Sequence, residues 1–368
     1  MSRKEEIQTK MEQLRTLIES EGLSGIYCKR QDSFSWLTSG GQNYVGLGEL
    51  GNCGLLVTLH GAYAITNSIE ERRMREEEHL DYLGFEIVYG PWHDRDFEKA
   101  ALAKLCSLDS LALDYNCGFG KNMHAKLIEM RASLSEEELV RYRSLGLSAS
   151  AILEQVASSI NVGDTEKSVV GRAFELLQSH GMDFASMMCA SDERIASYRH
   201  PVPTDKRIAK RVQIGGNFRK NGMVVCMTRY VHFAPVSTQL EEQLALNQEI
   251  DCIMMAQTIP GRTYSEVLSI AKETYASYGF AEEFEKHHQG GPIGYAPRDY
   301  RVDFSHAYKI AQQQAFCWNP SITGTKSEDT IVVSSDGFEF ITRPILFPTT
   351  TVHVNNTAYT RVAPLQKY

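Results

Sequence analysis

The first apolar positions recur at helical spacing. Ile7, Met11, Leu14, Leu17 and Ile18 fall on one face of residues 5–21, and Gly22 supplies a left-handed stop. Short runs of strand character follow at 25–28, 54–59, 62–65, 84–89 and 110–113, with a charged helical stretch predicted over 66–83. Alternation of helices with short strands predicts an α/β layer of about 130 residues.

A different pattern begins near Ser135. Ser135 with Glu138 fits a reciprocal cap, and Leu139, Tyr142, Leu145, Ala149, Ile152, Leu153 and Val156 then form one apolar helical face. Gly163 closes that region, and Thr165–Glu166 opens a second helix through Leu177. Two more helical runs, 238–257 and 264–278, are joined by Pro260 and Gly261; strands are predicted at 212–218, 223–232, 315–318, 330–334 and 338–342. This half reads as α+β. The boundary falls near residues 130–137, giving domains 1–133 and 134–368. The repeated helix–helix–strand order hints at an internal duplication, without matched residues to prove one.

Composition narrows the partners. Hydrophobic residues make up 42% and charged residues 23%, ordinary for a globular enzyme, and the formal net charge is -8. No Lys/Arg-rich block is present, so nucleic acid is not an expected partner. No apolar run approaches the roughly 20 residues of a membrane span. The charged start MSRKEEIQTKMEQL lacks the apolar core of a signal peptide, and a cytoplasmic location is expected. The eight cysteines are scattered, with no C-x-x-C pair, and read as buried thiols in a reducing compartment.

Four short stretches carry candidate chemistry. They are Tyr198-Arg199-His200-Pro201; Asn221-Gly222 leading into Cys226-Met227-Thr228-Arg229; His287-His288-Gln289-Gly290-Gly291-Pro292-Ile293-Gly294-Tyr295; and Asn319-Pro320 followed by Lys326-Ser327-Glu328-Asp329-Thr330. In this order and spacing they resemble the pita-bread family of creatinase, aminopeptidase P, prolidase and methionine aminopeptidase. The likeness extends over nearly the whole chain. Residues 22–26 and 36–40 are similar to the N-terminal creatinase-type domain, and Gly163-Asp164-Thr165-Glu166 to the opening of the catalytic domain. The resemblance implies an α/β creatinase-type domain before an α+β pita-bread domain. It also implies a homodimer.

The metal enzymes of that family hold two divalent ions with two Asp, one His and two Glu. Carried over by resemblance, those positions here are Gly215, Cys226, Gly291, Asn319 and Glu328. Only Glu328 is retained, so no metal and no other cofactor is expected. Creatinase implies an alternative: hydrolysis of a C–N bond with a histidine as general acid/base, a role that falls on His200. Imidazole titrates near neutrality and can pass a proton both ways.

Around these positions the expected catalytic group is His200, Glu328, His232 and His288. Arg229, Asn319, Tyr295, Arg298 and Cys226 are expected at the substrate. Adjacent residues of an extended segment point apart, so only one of His287 and His288 is expected to face the cleft. Glu328 has a plainer role available as an ion-pair partner of Arg229 or Lys326, and Cys226 as an inert buried thiol. The acidic stretches 70–78 and 282–285 read as solvated helix faces. Three functions stay open: a metal-independent hydrolase or lyase acting on a small polar metabolite or short peptide, a catalytically inactive binding protein, and an Xaa-Pro peptidase with an atypical metal site.

Overall fold

The computed structural model describes residues 1–46, 48–305 and 307–368. The chain divides into two compact units, Met1–Arg131 with Asn221–Met223, and Ala132–Lys220 with Val224–Tyr368.

In the first unit, helix α1 (Arg3–Glu21) starts on a reciprocal Ser2–Glu5 cap and ends at Gly22 with φ 62°, as its sequence predicts. Strands β1 (Gly25–Arg30), β2 (Leu50–Val57), β3 (Ala62–Asn67), β4 (Glu86–Gly90), β5 (Leu111–Leu113) and β6 (Lys121–Asn122) form one sheet in the order β4-β3-β2-β1-β5-β6. Its hairpin pairs are antiparallel and its outer pairs parallel. Helices α2 (Gln31–Leu37), α3 (Glu71–Glu76), α4 (Phe97–Leu105) and α5 (His124–Met130) complete it, with Tyr27, Leu56, Ile65, Leu102 and Leu113 in a shared core. The charged stretch 66–83 yields only the two turns of α3. Strand β3 consumes its start, and His79 at φ 58° interrupts its end.

The second unit is built on α6 (Glu136–Ser159), α7 (Glu166–Ser179), α8 (Arg194–Ser197), α9 (Thr238–Gln257), α10 (Tyr264–Ser277) and α11 (Ala281–Phe284). Its strands are β7 (Asp183–Ser191), β8 (Arg211–Lys220), β9 (Met223–His232), β10 (Gly290–Ile293), β11 (Gln314–Trp318), β12 (Asp329–Ser334), β13 (Gly337–Phe340), β14 (Thr349–Val354), β15 (Thr357–Val362) and β16 (Leu365–Gln366). The main sheet runs β10-β11-β12-β9-β8-β7, with β13 paired to β12 and β16 to β9. Helix α9 buries Ile250 and Met254, and helix α10 Tyr264, Val267 and Tyr275, in one core with Phe316, Trp318 and Ile331 of the sheet. Besides the two-residue β16, strands β7, β10, β14 and β15 lie outside the sequence-predicted set. The last two are Thr-rich and carry no apolar run; Asn355 and Asn356, both at positive φ, make the tight turn between them.

Behind the sheet lies a chain of fully buried charges. The Arg229 guanidinium donates from Nε to Glu154 at 2.8 Å and from Nη1 to Asp329 at 3.0 Å. Asp329 also meets Arg361 at 3.3 Å, and Arg361 donates to Asp251 at 2.6 Å and Ser327 at 2.9 Å. The second Glu154 oxygen accepts the backbone N–H groups of Ile345, Leu346 and Phe347. These bonds tie α6, α9, β9, β12 and β15 to one another. Burying a charge is tolerable only while its partner stays in place. Arg229→Met removes the guanidinium that joins Glu154 to Asp329 in the interior, and urea unfolding should report a loss of about 3–5 kcal/mol. A loss below about 1 kcal/mol would remove the network from any structural role.

Candidate functional site

On β9 side chains alternate between faces. Arg229 points to the buried charge network, which places Cys226, Thr228 and Tyr230 on the other face. Arg229, expected at the substrate, is therefore a structural residue with no surface exposed. On the opposite face Glu328, just ahead of β12, is the central acid. Its Oε2 accepts from Lys326 Nζ at 2.8 Å and from Thr228 Oγ1 at 2.7 Å, and its Oε1 lies 3.7 Å from Arg298 Nη2. Burial alone would raise its pKa; Lys326 and Arg298 outweigh that and hold the carboxyl below its ordinary 4.5. Of the two ion-pair partners considered from sequence, Lys326 is the one formed.

Three histidines gather beside this acid. His200 sits in the loop after α8, which Arg199 anchors through Glu283 and through Thr323 at 3.0 Å. Glu283, expected to be solvated, is thus part of the support, and it also accepts the Thr323 N–H at 2.9 Å. His200 Nε2 and His287 Nε2 are 3.1 Å apart, a hydrogen bond between imidazoles. His288 stacks on His287 with ring centres 4.4 Å apart and lies 5.6 Å from His200. Both neighbours thus face the cluster. The extended-chain expectation fails because 287–289 precede the strand, which opens at Gly290 with φ 99°. Gln289 fixes the segment, donating to the Phe284 and His287 carbonyls and accepting from Tyr275.

Burial and neighbouring cations disfavour the protonated form of all three rings. Burial and Lys326 lower His200 below the ordinary 6.5. Burial, with Lys326, pushes His287 to about 2, and burial with Arg298 pushes His288 to about 4. The ligand-capable nitrogens of the three lie within 4.8 Å of one another. The hydrogen bonding nevertheless favours proton transfer over ligation. His288 Nδ1 accepts the Gly290 N–H at 3.2 Å, so its neutral form carries the proton on Nε2 and presents a donor. His200 and His287 already share a proton, and Lys326, Arg298 and Arg301 all disfavour further positive charge at His200.

The remaining predicted residues are scattered. Cys226 Sγ is 3.7 Å from Arg298 Nη1 and contacts the Asn217 amide, so both Cys226 and Arg298 border the acid. Asn319 is buried with its Oδ1 unpartnered. Tyr295 donates its hydroxyl to Glu138 at 2.6 Å and serves helix α6. His232 lines a cavity with Arg211 and Tyr230, and burial with Arg211 lowers it to about 4. Sequence reasoning missed Asn217 and undervalued Lys326 and His287. The lysine had a signal, since a cation two residues before Glu328 shares its side of an extended segment.

The model of metallopeptidase family M24 matches residues 141–335. The chain belongs to that family. An uncharacterized peptidase of Staphylococcus aureus (strain MW2) is 24% identical over 225 residues, which cover 58% of this chain and 63% of that protein. The Xaa-Pro dipeptidase from Bacillus anthracis superposes with a TM-score of 0.74 at 21% identity, covering 91% of this chain and 97% of its own. The N-terminal domain of the FACT complex subunit SPT16 from Cicer arietinum does so with 0.68 at 12% identity, covering 93% and 97%. These likenesses give the fold: an N-terminal α/β domain and a C-terminal pita-bread domain with a curled sheet. No helix among the described residues is long and apolar enough to cross a membrane.

The divalent pair that the family implies does not fit these residues. A Cβ at Gly215 would lie 2.6 Å from both Thr228 Oγ1 and the Met227 carbonyl. At Gly291, with φ 150°, it would lie 2.7 Å from Val302 Cγ2 and 2.9 Å from the Tyr300 carbonyl. Cys226 and Asn319 supply no carboxylate, and the Glu328 oxygens face Lys326, Thr228 and Arg298. Hard divalent ions need several oxygen ligands, and one committed carboxylate does not provide them.

The buried imidazole also sets a pH dependence. Because the folded pKa of His287 is about 2, the unfolded chain takes up a proton near 6.5 that the folded chain refuses. Its neutral-form stability is complete above 6.5 and declines as pH falls toward 2. Comparing urea unfolding at pH 7 and pH 5, His287→Gln should shrink the acid loss by about 2 kcal/mol. Equal losses in variant and wild type would show that the ring is not held neutral.

Proposed function

We propose that this chain is a hydrolase that breaks a C–N bond of a small polar or short-peptide substrate by imidazole proton transfer, without the divalent pair of its family. The observation that carries the reading is the 3.1 Å contact between His200 Nε2 and His287 Nε2, beside a glutamate neutralised by lysine. His200 commits Nε2 to His287, which fixes its ring and leaves Nδ1 to exchange protons. A positioned base whose orientation is set by a third group is the general arrangement for activating a nucleophile. His200 takes a proton from water as the oxygen attacks the electrophilic carbon. It returns that proton to the nitrogen as the C–N bond breaks and the electron pair leaves with nitrogen. His288 Nε2–H and the Arg298 guanidinium supply donors for the oxyanion that develops between the two steps. Arg298, Lys326 and Arg301 face a substrate that is neutral or anionic there rather than cationic.

A second reading is binding without turnover. The closure around Gly215 and Gly291 favours it, since a scaffold can lose its metal seat without gaining a new mechanism. Turnover of a panel of Xaa-Pro dipeptides and N-acyl amino acids, before and after exhaustive chelation, separates the readings. We expect activity that survives chelation and falls by about 10²-fold or more in His200→Gln at unchanged Tm. Activity that chelation removes and Mn²⁺ or Co²⁺ restores would sink the proposal, and saturable binding with no turnover would establish the second reading.

A further inference from the structure

We propose that a cavity on the pita-bread unit, apart from the three histidines, binds a small organic monocarboxylate with an apolar tail. The cavity encloses about 190 Å³ between the end of β9, helix α9 and the C-terminal segment. Leu240, Leu244 and Pro364 form an apolar wall, while Arg211, Tyr230 and His232 supply the polar end. Arg211 is the unusual member. Its Nη1 donates to the Gly324 carbonyl at 3.3 Å, and among the described residues no carboxylate lies within ion-pair distance of its guanidinium. Arg229, Arg361, Arg199, Arg219 and Arg131 each have such a partner. Asp192, the acid whose charge it feels, accepts the backbone N–H groups of Ala209, Lys210 and Arg211.

The other polar groups do not balance that charge. Tyr230 gives its hydroxyl proton to Gln213 at 2.7 Å, and His232 is neutral at pH 7. Glu241 also borders the cavity, but it is exposed to water, where its charge is screened. A guanidinium in an apolar recess recognises a planar carboxylate through paired N–H donors, and a lone cation undercompensates a phosphate dianion. The volume is below the roughly 300 Å³ of pockets for drug-sized ligands, which limits the tail to a branched aliphatic chain or one phenyl ring. None of the cavity's lining residues is His200, His287 or His288, although Tyr230 also borders Lys326 and Glu328.

Calorimetric titration of the full chain with 3-phenylpropionate and its neutral amide tests the assignment. We expect saturable one-to-one binding of the acid, with the amide weaker by about tenfold or more. Arg211→Gln should bring the acid down to the level of the amide, while Arg211→Lys keeps part of the preference. Leu244→Trp, which fills the apolar end, should abolish binding of both, and His200→Gln should leave the acid unchanged. Absence of saturable binding by the acid, equal binding of acid and amide, or an unaltered acid affinity in Arg211→Gln would each overturn the proposal.

Discussion

The buried run of charges from Glu154 through Arg229, Asp329 and Arg361 to Asp251 fixes the pita-bread unit. Five alternating charges with almost no access to water tolerate little change in distance, since each carries a desolvation penalty that only its neighbours offset. The strands holding them cannot slip. A shift of one residue along β9 would bring Arg229 to the opposite face and take its guanidinium away from Glu154 and Asp329. The direction of Cys226, Thr228 and Tyr230 is therefore a by-product of where the arginine must be. The same holds at Glu328 and Asp329, adjacent acids in sequence. Asp329 belongs to the network, and Glu328 pairs with Lys326 on the opposite face.

Charge compensation then explains the character of the side chains around Glu328. In a carboxylate-rich metal centre the cations are ions and the protein supplies negative charge. Here the protein supplies both signs itself. Lys326 and Arg298 neutralise the one remaining acid, and the imidazoles stay uncharged because burial and those same cations oppose protonation. Neutral imidazoles linked by a hydrogen bond are suited to moving protons. A lysine-bound glutamate is poorly suited to holding a divalent ion, which would have to displace an ammonium at 2.8 Å.

Much of the architecture was legible because local signals and global packing agree. The Ser135–Glu138 cap and the left-handed Gly22 stand where the sequence places them. The apolar face of α6 is buried at Leu139, Tyr142, Leu145, Ala149, Leu153 and Val156. What escaped has identifiable causes. Strand β10 is written as Gly-Gly-Pro-Ile and reads as a turn, yet it pairs with β11 residue by residue. Arg229 and His232 are three apart on one strand and cannot share a face, so strand phase alone argued against placing both in the cleft. Within the site, His200, Glu328, His288 and Arg298 are brought together. Tyr295 and Arg229 were drawn by motif position to places where their polar groups satisfy helix α6 instead.

The glycines at 215 and 291 sit where a larger side chain would require the surrounding backbone to move. Gly215 is pressed against the Met227 carbonyl and the Thr228 hydroxyl, and that hydroxyl is engaged by Glu328. Gly291 lies under Val302 and the Tyr300 carbonyl with a backbone angle that favours glycine. Restoring an aspartate at one position and a histidine at the other would require the Thr228–Glu328 bond to break and the 300–302 segment to withdraw. The remaining carboxylate would be left without part of its support at the moment an ion needed it. The closure at Gly215 thus supports the lysine-bound state of Glu328 through Thr228, and the closure at Gly291 leaves no room there for a ligand side chain. The lysine-bound glutamate carries its own charge balance, in which Thr228, Lys326 and Arg298 take the positions around the carboxylate that ions would need.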